Sequence, residues 1–292
     1  MALQNTTATA PTCPPSNNEE TTATVSPRTW FHFRWKLLLL IPLLLAVSMF
    51  WLVWGQQRQQ AVIADLKTRG AILRTEAVPI PFFEQMVGPE LSQQIIEVYW
   101  VGQDVAVDDL AALADASTLR KLELTKSAVD GAGLQHLTKL GDLYTLHLSG
   151  TNVADDALTH VAHLNGLEVL SLNGTRISDA GLENLEHLYR LERLFLDSTA
   201  ITDVGLNHIA TMTQLKELSL KNLPITDAGL LKLTGLVNLE ILALDNNPNL
   251  TREGIVALRK TIPRLVFSLD EEGDSSPAMQ RKKPENNSSE TG

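Results

Sequence analysis

Residues 167–188 read LEVLSLNGTRISDAGLENLEHL. The opening L-x-x-L-x-L places Leu170 and Leu172 on one side and Val169, Ser171 and Asn173 on the other, the two-residue period of a short strand. After the turn the period changes. Leu182, Leu185 and Leu188 follow at three-residue steps, one stripe of a short helix. Strand and helix together are too small to bury either apolar face.

The phrase recurs along most of the chain. Its strands begin at Ile95, Leu119, Leu143, Leu167, Leu191, Leu215 and Leu239, each 24 residues after the last. Units of this length must stack on one another to make a core. Parallel strands lie about 4.8 Å apart, whereas packed helices lie about 8–10 Å apart, so the stack is expected to curve with its sheet on the concave side. Ahead of the helical stripes stand Asp155, Asp179, Asp203 and Asp227, with Ser or Thr beside most of them. These are N-cap residue types, expected to receive the unpaired N–H groups of their own helices. Gly133, Gly181, Gly205, Gly229 and Gly254 follow the caps, with Ala157 as the one substitute, and are expected to allow close packing of helix on strand. The seventh repeat gains a residue or two around 245–250, which moves the final strand (Leu265, Phe267, Leu269) out of strict register.

On these residues the chain resembles the leucine-rich repeat proteins, in particular the ribonuclease-inhibitor-like subtype with a convex α-helix in each repeat. The implied fold class is α/β: a leucine-rich repeat solenoid with a parallel sheet inside and short helices outside. One departure concerns the turn after each strand. Its usual Asn is replaced by Thr151, Thr175 and Thr199, flanked by Ser127 and Leu223, so a ladder of hydroxyls is expected there instead.

Residues 37–54 (LLLLIPLLLAVSMFWLVW) carry no charge and measure about 27 Å as a helix, near the hydrocarbon thickness of a bilayer. Trp30, Phe31, Phe33 and Trp35 precede the run, and Phe50, Trp51 and Trp54 stand near its end. Such belts favour a membrane span over a buried core helix, and the length of the run with no A-x-A site after it favours an uncleaved anchor over a signal peptide. Arg28, Arg34 and Lys36 crowd its N-terminal border, which predicts a cytoplasmic tail at 1–36 and an extracytoplasmic repeat domain. The organisation read from the sequence is therefore a disordered tail (1–36), a transmembrane helix (37–54), a juxtamembrane segment and cap (55–94), the repeat domain (95–270) and a second disordered tail (271–292). Within the cap, 56–66 reads as a helix, 71–74 as a strand and 82–96 as a helical stretch. The single cysteine, Cys13, precludes an internal disulfide. The aromatic-flanked span, AVIADLKTRGAIL and PFFEQMVGPELSQQIIEV together resemble a family of membrane-anchored leucine-rich repeat proteins abundant in planctomycetes, over roughly 29–269. That resemblance implies architecture and topology but no ligand.

Chemistry-bearing motifs are absent from the sequence: it has no P-loop, no G-x-G-x-x-G after a strand, no H-E-x-x-H, no G-x-S-x-G and no CxxC. The chain is therefore not expected to be an enzyme or to carry a cofactor or metal. The four periodic Asp follow the structural repeat, and His136, His160, His163, His187 and His208 read as a polar helix face. A weaker enzymatic reading would join His147, Ser171 and Asp197 on the concave face. Residues 95–270 hold 23 Asp/Glu against 14 Lys/Arg, net −9, which repels phosphate backbones and excludes nucleic acid as a partner.

What remains is the concave face, where three outward columns are expected. The first is Glu97, Lys121, Thr145, Val169, Arg193, Glu217, Ile241; the second Tyr99, Glu123, His147, Ser171, Phe195, Ser219, Ala243; the third Val101, Thr125, Ser149, Asn173, Asp197, Lys221, Asp245. Tyr99, His147, Asn173, Arg193, Phe195, Asp197 and Lys221 are the candidate partner-binding residues, because aromatics and Arg anchor interfaces. The expected function is a membrane-anchored binding protein that holds a protein or peptide. The alternative is a cell-envelope scaffold or adhesin that engages wall polymer.

Overall fold

The computed structural model describes residues 27–77, 93–102, 105 and 107–268. Residues 1–26 with Cys13, residues 269–292 and the 78–92 part of the cap lie outside the described residues; the 27–36 part of the tail expected to be disordered is corrected, since it is helix. The chain divides after Val53 into two compact units.

The first unit contributes the start of a helix that runs Pro27–Thr68. Leu40, Ile41, Leu43, Leu44, Leu45, Val47, Phe50 and Trp51 are all exposed on it. From Leu40 the helix is long and apolar enough to cross a membrane, and none of its apolar window is buried within the protein. A signal sequence near the N-terminus meets the same test of length and composition.

The second unit begins at Trp54. The last turns of the helix bury Ile63 and Leu66, as the apolar pattern at 56–66 predicts, while Ala61 faces solvent. Gly70, at φ +86°, turns the chain into β1 (Ile72–Ala77). This strand is longer than the expected 71–74 and pairs antiparallel with β2 (Gln93–Tyr99). The expected helix over 82–96 is therefore corrected at its described end, since 93–96 are strand. Pairing with β1 decides the matter there: Gln93, Gln94 and Ile95 stand opposite Ala77, Glu76 and Thr75, and a register shift at Arg74/Thr75 lets both Ile95 and Val98 be buried.

From β2 onward every pairing is parallel and sequential. The further strands are β3 (Lys121–Glu123), β4 (Thr145–His147), β5 (Val169–Ser171), β6 (Arg193–Phe195), β7 (Glu217–Ser219), β8 (Ile241–Ala243) and β9 (Val266–Ser268), nine strands in one sheet in chain order. Glu97 pairs with Lys121, Lys121 with Thr145, and so on at 24-residue steps to Ile241. The last step, Ile241 to Val266, is 25. The seventh repeat thus carries one extra residue. Behind the sheet the Leu rows are closed to water; Leu146, Leu170, Leu194, Leu218 and Leu242 are fully buried.

The convex elements are short. Gly131–Leu134, Asp179–Leu182 and Asp227–Leu230 are four-residue α-turns that continue into 3-10 turns, and only Arg252–Thr261 reaches ten residues. The periodic Asp do not cap them. Asp155, Asp179 and Asp227 are the first residues of their own helices, and each carboxylate reaches forward to the next repeat. Asp155 accepts from the Ser178 N–H (2.7 Å) and hydroxyl (2.5 Å), Asp179 from Thr202 (2.8 and 2.6 Å), Asp203 from Thr226 (2.8 and 2.6 Å) and Asp227 from Thr251 (2.9 and 2.5 Å).

The glycines make room for this bridge. A Cβ at Gly181, Gly205, Gly229 or Gly254 would sit 2.4, 2.4, 2.0 or 2.1 Å from the Oδ1 of the preceding Asp. At the joint between the repeats of Gly131 and Asp155 the bridge and all its parts are missing together. Gly131 stands in the Asp slot, Ala154 in the hydroxyl slot and Ala157 in the Gly slot.

The hydroxyls after the strands form no ladder. Ser127, Thr151, Thr175 and Thr199 each donate to the carbonyl three residues earlier in their own repeat, at 2.6–2.7 Å. Leu223 cannot do this. Asn247, one repeat on, fills the gap: its Nδ2 donates to the Leu220 and Leu244 carbonyls at 2.8 and 3.0 Å, and its Oδ1 accepts from the Leu223 N–H at 2.7 Å.

Candidate functional site: the concave face

The strand register sets the first two columns side by side across the sheet as expected. Their exposure departs from expectation. Thr145, Val169, Ser171, Ser219 and Ala243 are buried, because strands about 4.8 Å apart let larger neighbours cover small side chains between them. These residues form a floor, and what a partner meets stands in an N-terminal and a C-terminal group around it.

At the N-terminal end the charges satisfy one another. The Tyr99 hydroxyl donates to Glu97 at 2.5 Å, Arg74 reaches Glu97 at 3.0 Å, and the Lys121 ammonium lies 5.0 Å from the centre of the Tyr99 ring. The Glu97 carboxylate raises the Tyr99 phenol above its ordinary value, with burial in support. His147 stands 3.8 Å from Glu123. Burial lowers its pKa; Glu123 opposes the shift, and Lys121 and Arg193 add to it. The imidazole is therefore neutral at pH 7. Tyr99 and His147 are thus brought together around Glu123, a residue to which sequence reasoning assigned no role. Its place in the register, between Tyr99 and His147, was the available signal.

The third column is mostly spent on the fold. Asn173 Oδ1 accepts the Asp197 N–H at 2.8 Å, and Asp197 Oδ1 accepts the Lys221 N–H at 2.9 Å and the Ser219 hydroxyl at 2.5 Å. Lys221 pairs with Asp245 at 2.8 Å, with both side chains largely covered. Three of the seven candidates, Asn173, Asp197 and Lys221, therefore hold adjacent repeats together. The reading that joins His147, Ser171 and Asp197 fares no better. Ser171 shares a 2.6 Å hydrogen bond with Ser149, His147 faces Glu123, and Asp197 is engaged as above.

Arg193 and Phe195 stand on β6, where the C-terminal half of the face begins. Arg193 is exposed and Phe195 half-buried on β6. In the first column, Arg193 is followed by Glu217 and then by two exposed apolar residues, Ile241 (38%) and Val266 (42%). Beside them the second column is small and low, Ser219 and Ala243. The result is a shallow trough about 14 Å across at the strand spacing. Ile241 and Val266 were missed as candidates. Val266 is concealed by the inserted residue, and Ile241 by a rule that favours aromatics and Arg.

On the convex side, His163 donates to the Thr159 carbonyl (2.9 Å), His208 bonds Glu186 (2.6 Å) and His187 lies against Tyr189. No three His, Cys, Asp or Glu among the described residues are placed to hold a metal ion.

No protein-family model and no curated protein matches the chain. Among solved structures, it is similar to an internalin C2 from Listeria monocytogenes: 26% identity, TM-score 0.48, over 59% of this chain and 70% of that one. It is also similar to a second internalin of that organism: 20% identity, TM-score 0.37, over 56% of this chain and 57% of that one. The leucine-rich repeat architecture therefore rests on the 24-residue repeat and the sequential parallel sheet themselves.

Proposed function

We propose that the chain is a membrane-anchored binding protein that holds a protein or peptide partner on its concave face, with contact centred on Arg193, Phe195 and Ile241. The supporting observation is the trough of exposed Arg193, half-exposed Phe195 and exposed Ile241 and Val266 over a floor of small residues. A rigid cationic–aromatic anchor beside apolar shelves is the composition at which binding energy concentrates. The net charge of −9 over residues 95–270 favours a partner with basic character outside the Arg193 contact.

The test is site-specific photo-crosslinking in the native cell. A photoreactive residue at exposed Val266 is expected to give discrete adducts, and one at exposed Val204 on the helix side none. Phe195→Ala should reduce the Val266 adduct several-fold while the protein stays folded. Equal adducts from both positions would defeat the reading.

The anchor is the run 37–54, and the basic border at Arg28, Arg34 and Lys36 favours a cytoplasmic N-terminus. The lone Cys13 makes this directly testable. A membrane-impermeant maleimide should label it only after permeabilisation, and labelling of intact cells would reverse the topology.

A further inference from the structure

Within the second unit, a cavity of about 240 Å³ lies between the last turns of the long helix and the first repeat. Trp54, Val62 and Ile95 give it apolar walls, and Arg58, Gln59 and Asp115 supply its polar atoms. Arg58 donates to Asp115 at 2.7 Å, and both side chains are about half exposed, 56% and 48%. The Arg58 guanidinium also lies 6.0 Å from the Trp54 ring. Gln59 Oε1 is different. It is buried and accepts no hydrogen bond among the described residues. A buried acceptor left without a donor raises the free energy of the empty site until a ligand supplies one.

We propose that this cavity binds the headgroup of a bilayer phospholipid that carries a primary ammonium. Gln59 demands an N–H or O–H, and a primary ammonium brings three donors together with a charge complementary to Asp115. The phosphodiester beside that ammonium meets Arg58, whose guanidinium has five N–H donors and gives one to Asp115. A quaternary ammonium carries the same charge but no donor, and leaves Gln59 unpaired. A headgroup with phosphate and no amine brings like charge towards Asp115. The assignment rests on the anchor reading above, because Trp54 is the last residue of the apolar run and Gln59 follows it by about 7.5 Å of helix. That is the depth at which interfacial aromatics meet headgroups.

The experiment uses the full chain reconstituted in bilayer discs of equimolar phosphatidylethanolamine and phosphatidylcholine, with retained lipid counted by native mass spectrometry. Phosphatidylethanolamine should be retained about tenfold over phosphatidylcholine, the scale of one hydrogen bond to a charged group. Gln59→Leu should erase the preference. Asp115→Asn, at a half-exposed site that tolerates change, should reduce it even where Gln59→Leu fails to fold. Gln57→Leu, on an exposed position of the same helix, should leave it intact. Equal retention of the two lipids, or a preference that survives both variants, overturns the proposal. So does equal occupancy by soluble glycerophosphoethanolamine without a bilayer. Loss of the anchor itself looks different: the protein then leaves discs of pure phosphatidylcholine, whereas failure of the cavity alone leaves it embedded without discrimination.

Discussion

At single residues, the Asp–Gly relationship gives the sharpest test. Asp203→Ala removes two hydrogen bonds to Thr226 and should cost about 2–3 kcal/mol. Gly229→Ala places a methyl 2.0 Å from the Asp203 oxygen and should cost a similar amount. The double variant should lose clearly less than the sum in chemical denaturation, because removing the carboxylate removes the clash. Strict additivity would mean that the bridge is incidental. His147 gives a test in pH. Its folded pKa is lowered by burial, so below the unfolded value of about 6.5 the unfolded chain takes up a proton that the folded chain resists. The stability that neutral His147 contributes is whole above that value and is lost as pH falls from it towards the folded pKa. Wild type should therefore lose stability relative to His147→Gln between pH 7 and 5, measured by urea midpoints. Parallel curves would show that the imidazole titrates freely.

At the level of elements, one backbone position sets the turn after every strand from β2 to β8. Residues 102, 126, 150, 174, 198, 222 and 246 all take φ between +55° and +68°. Three are Gly and two are Asn, types that tolerate this region, but Lys126 and Ser198 carry a Cβ there at a cost. Lys126→Gly should raise stability by about 0.5–1 kcal/mol, while Asn222→Gly should change little; a thermal melt distinguishes them. The strands, their spacing and the two outward columns were legible in the sequence because a fixed period forces corresponding residues into register. The direction of the Asp bonds was not. Asp and Ser or Thr adjacent in sequence imitate a helix cap, and nothing local reveals that each Asp is partnered 23 or 24 residues ahead. The Thr row misled in the same way: each hydroxyl closes its own turn, and only Leu223 required help from Asn247.

Over the whole molecule, the concave columns behave as sequence arithmetic expects, yet their chemistry is set by which side chains cover which. Tyr99 and His147 are tied up with Glu97, Lys121 and Glu123, so Tyr99→Phe should leave partner capture nearly unchanged while Arg193→Ala and Phe195→Ala reduce it several-fold. Quantified crosslinking yields would show the reverse ranking if the N-terminal end were the contact. The cavity beside the long helix was invisible in the sequence, since it brings residues 54–62 against 95–118, which share no period. The Asp bridge also limits how such an array can grow. A carboxylate on one unit needs a hydroxyl and a bare α-carbon on its successor, so adjacent units are matched like tongue and groove, with a direction. Copying a stretch cut at the strand boundaries preserves the fit only when donor and recipient edges belong to the same class. Splicing an Asp-bearing unit ahead of the Ala154/Ala157 unit would jam the joint. Gene duplication in this chain is thereby channelled towards its central copies.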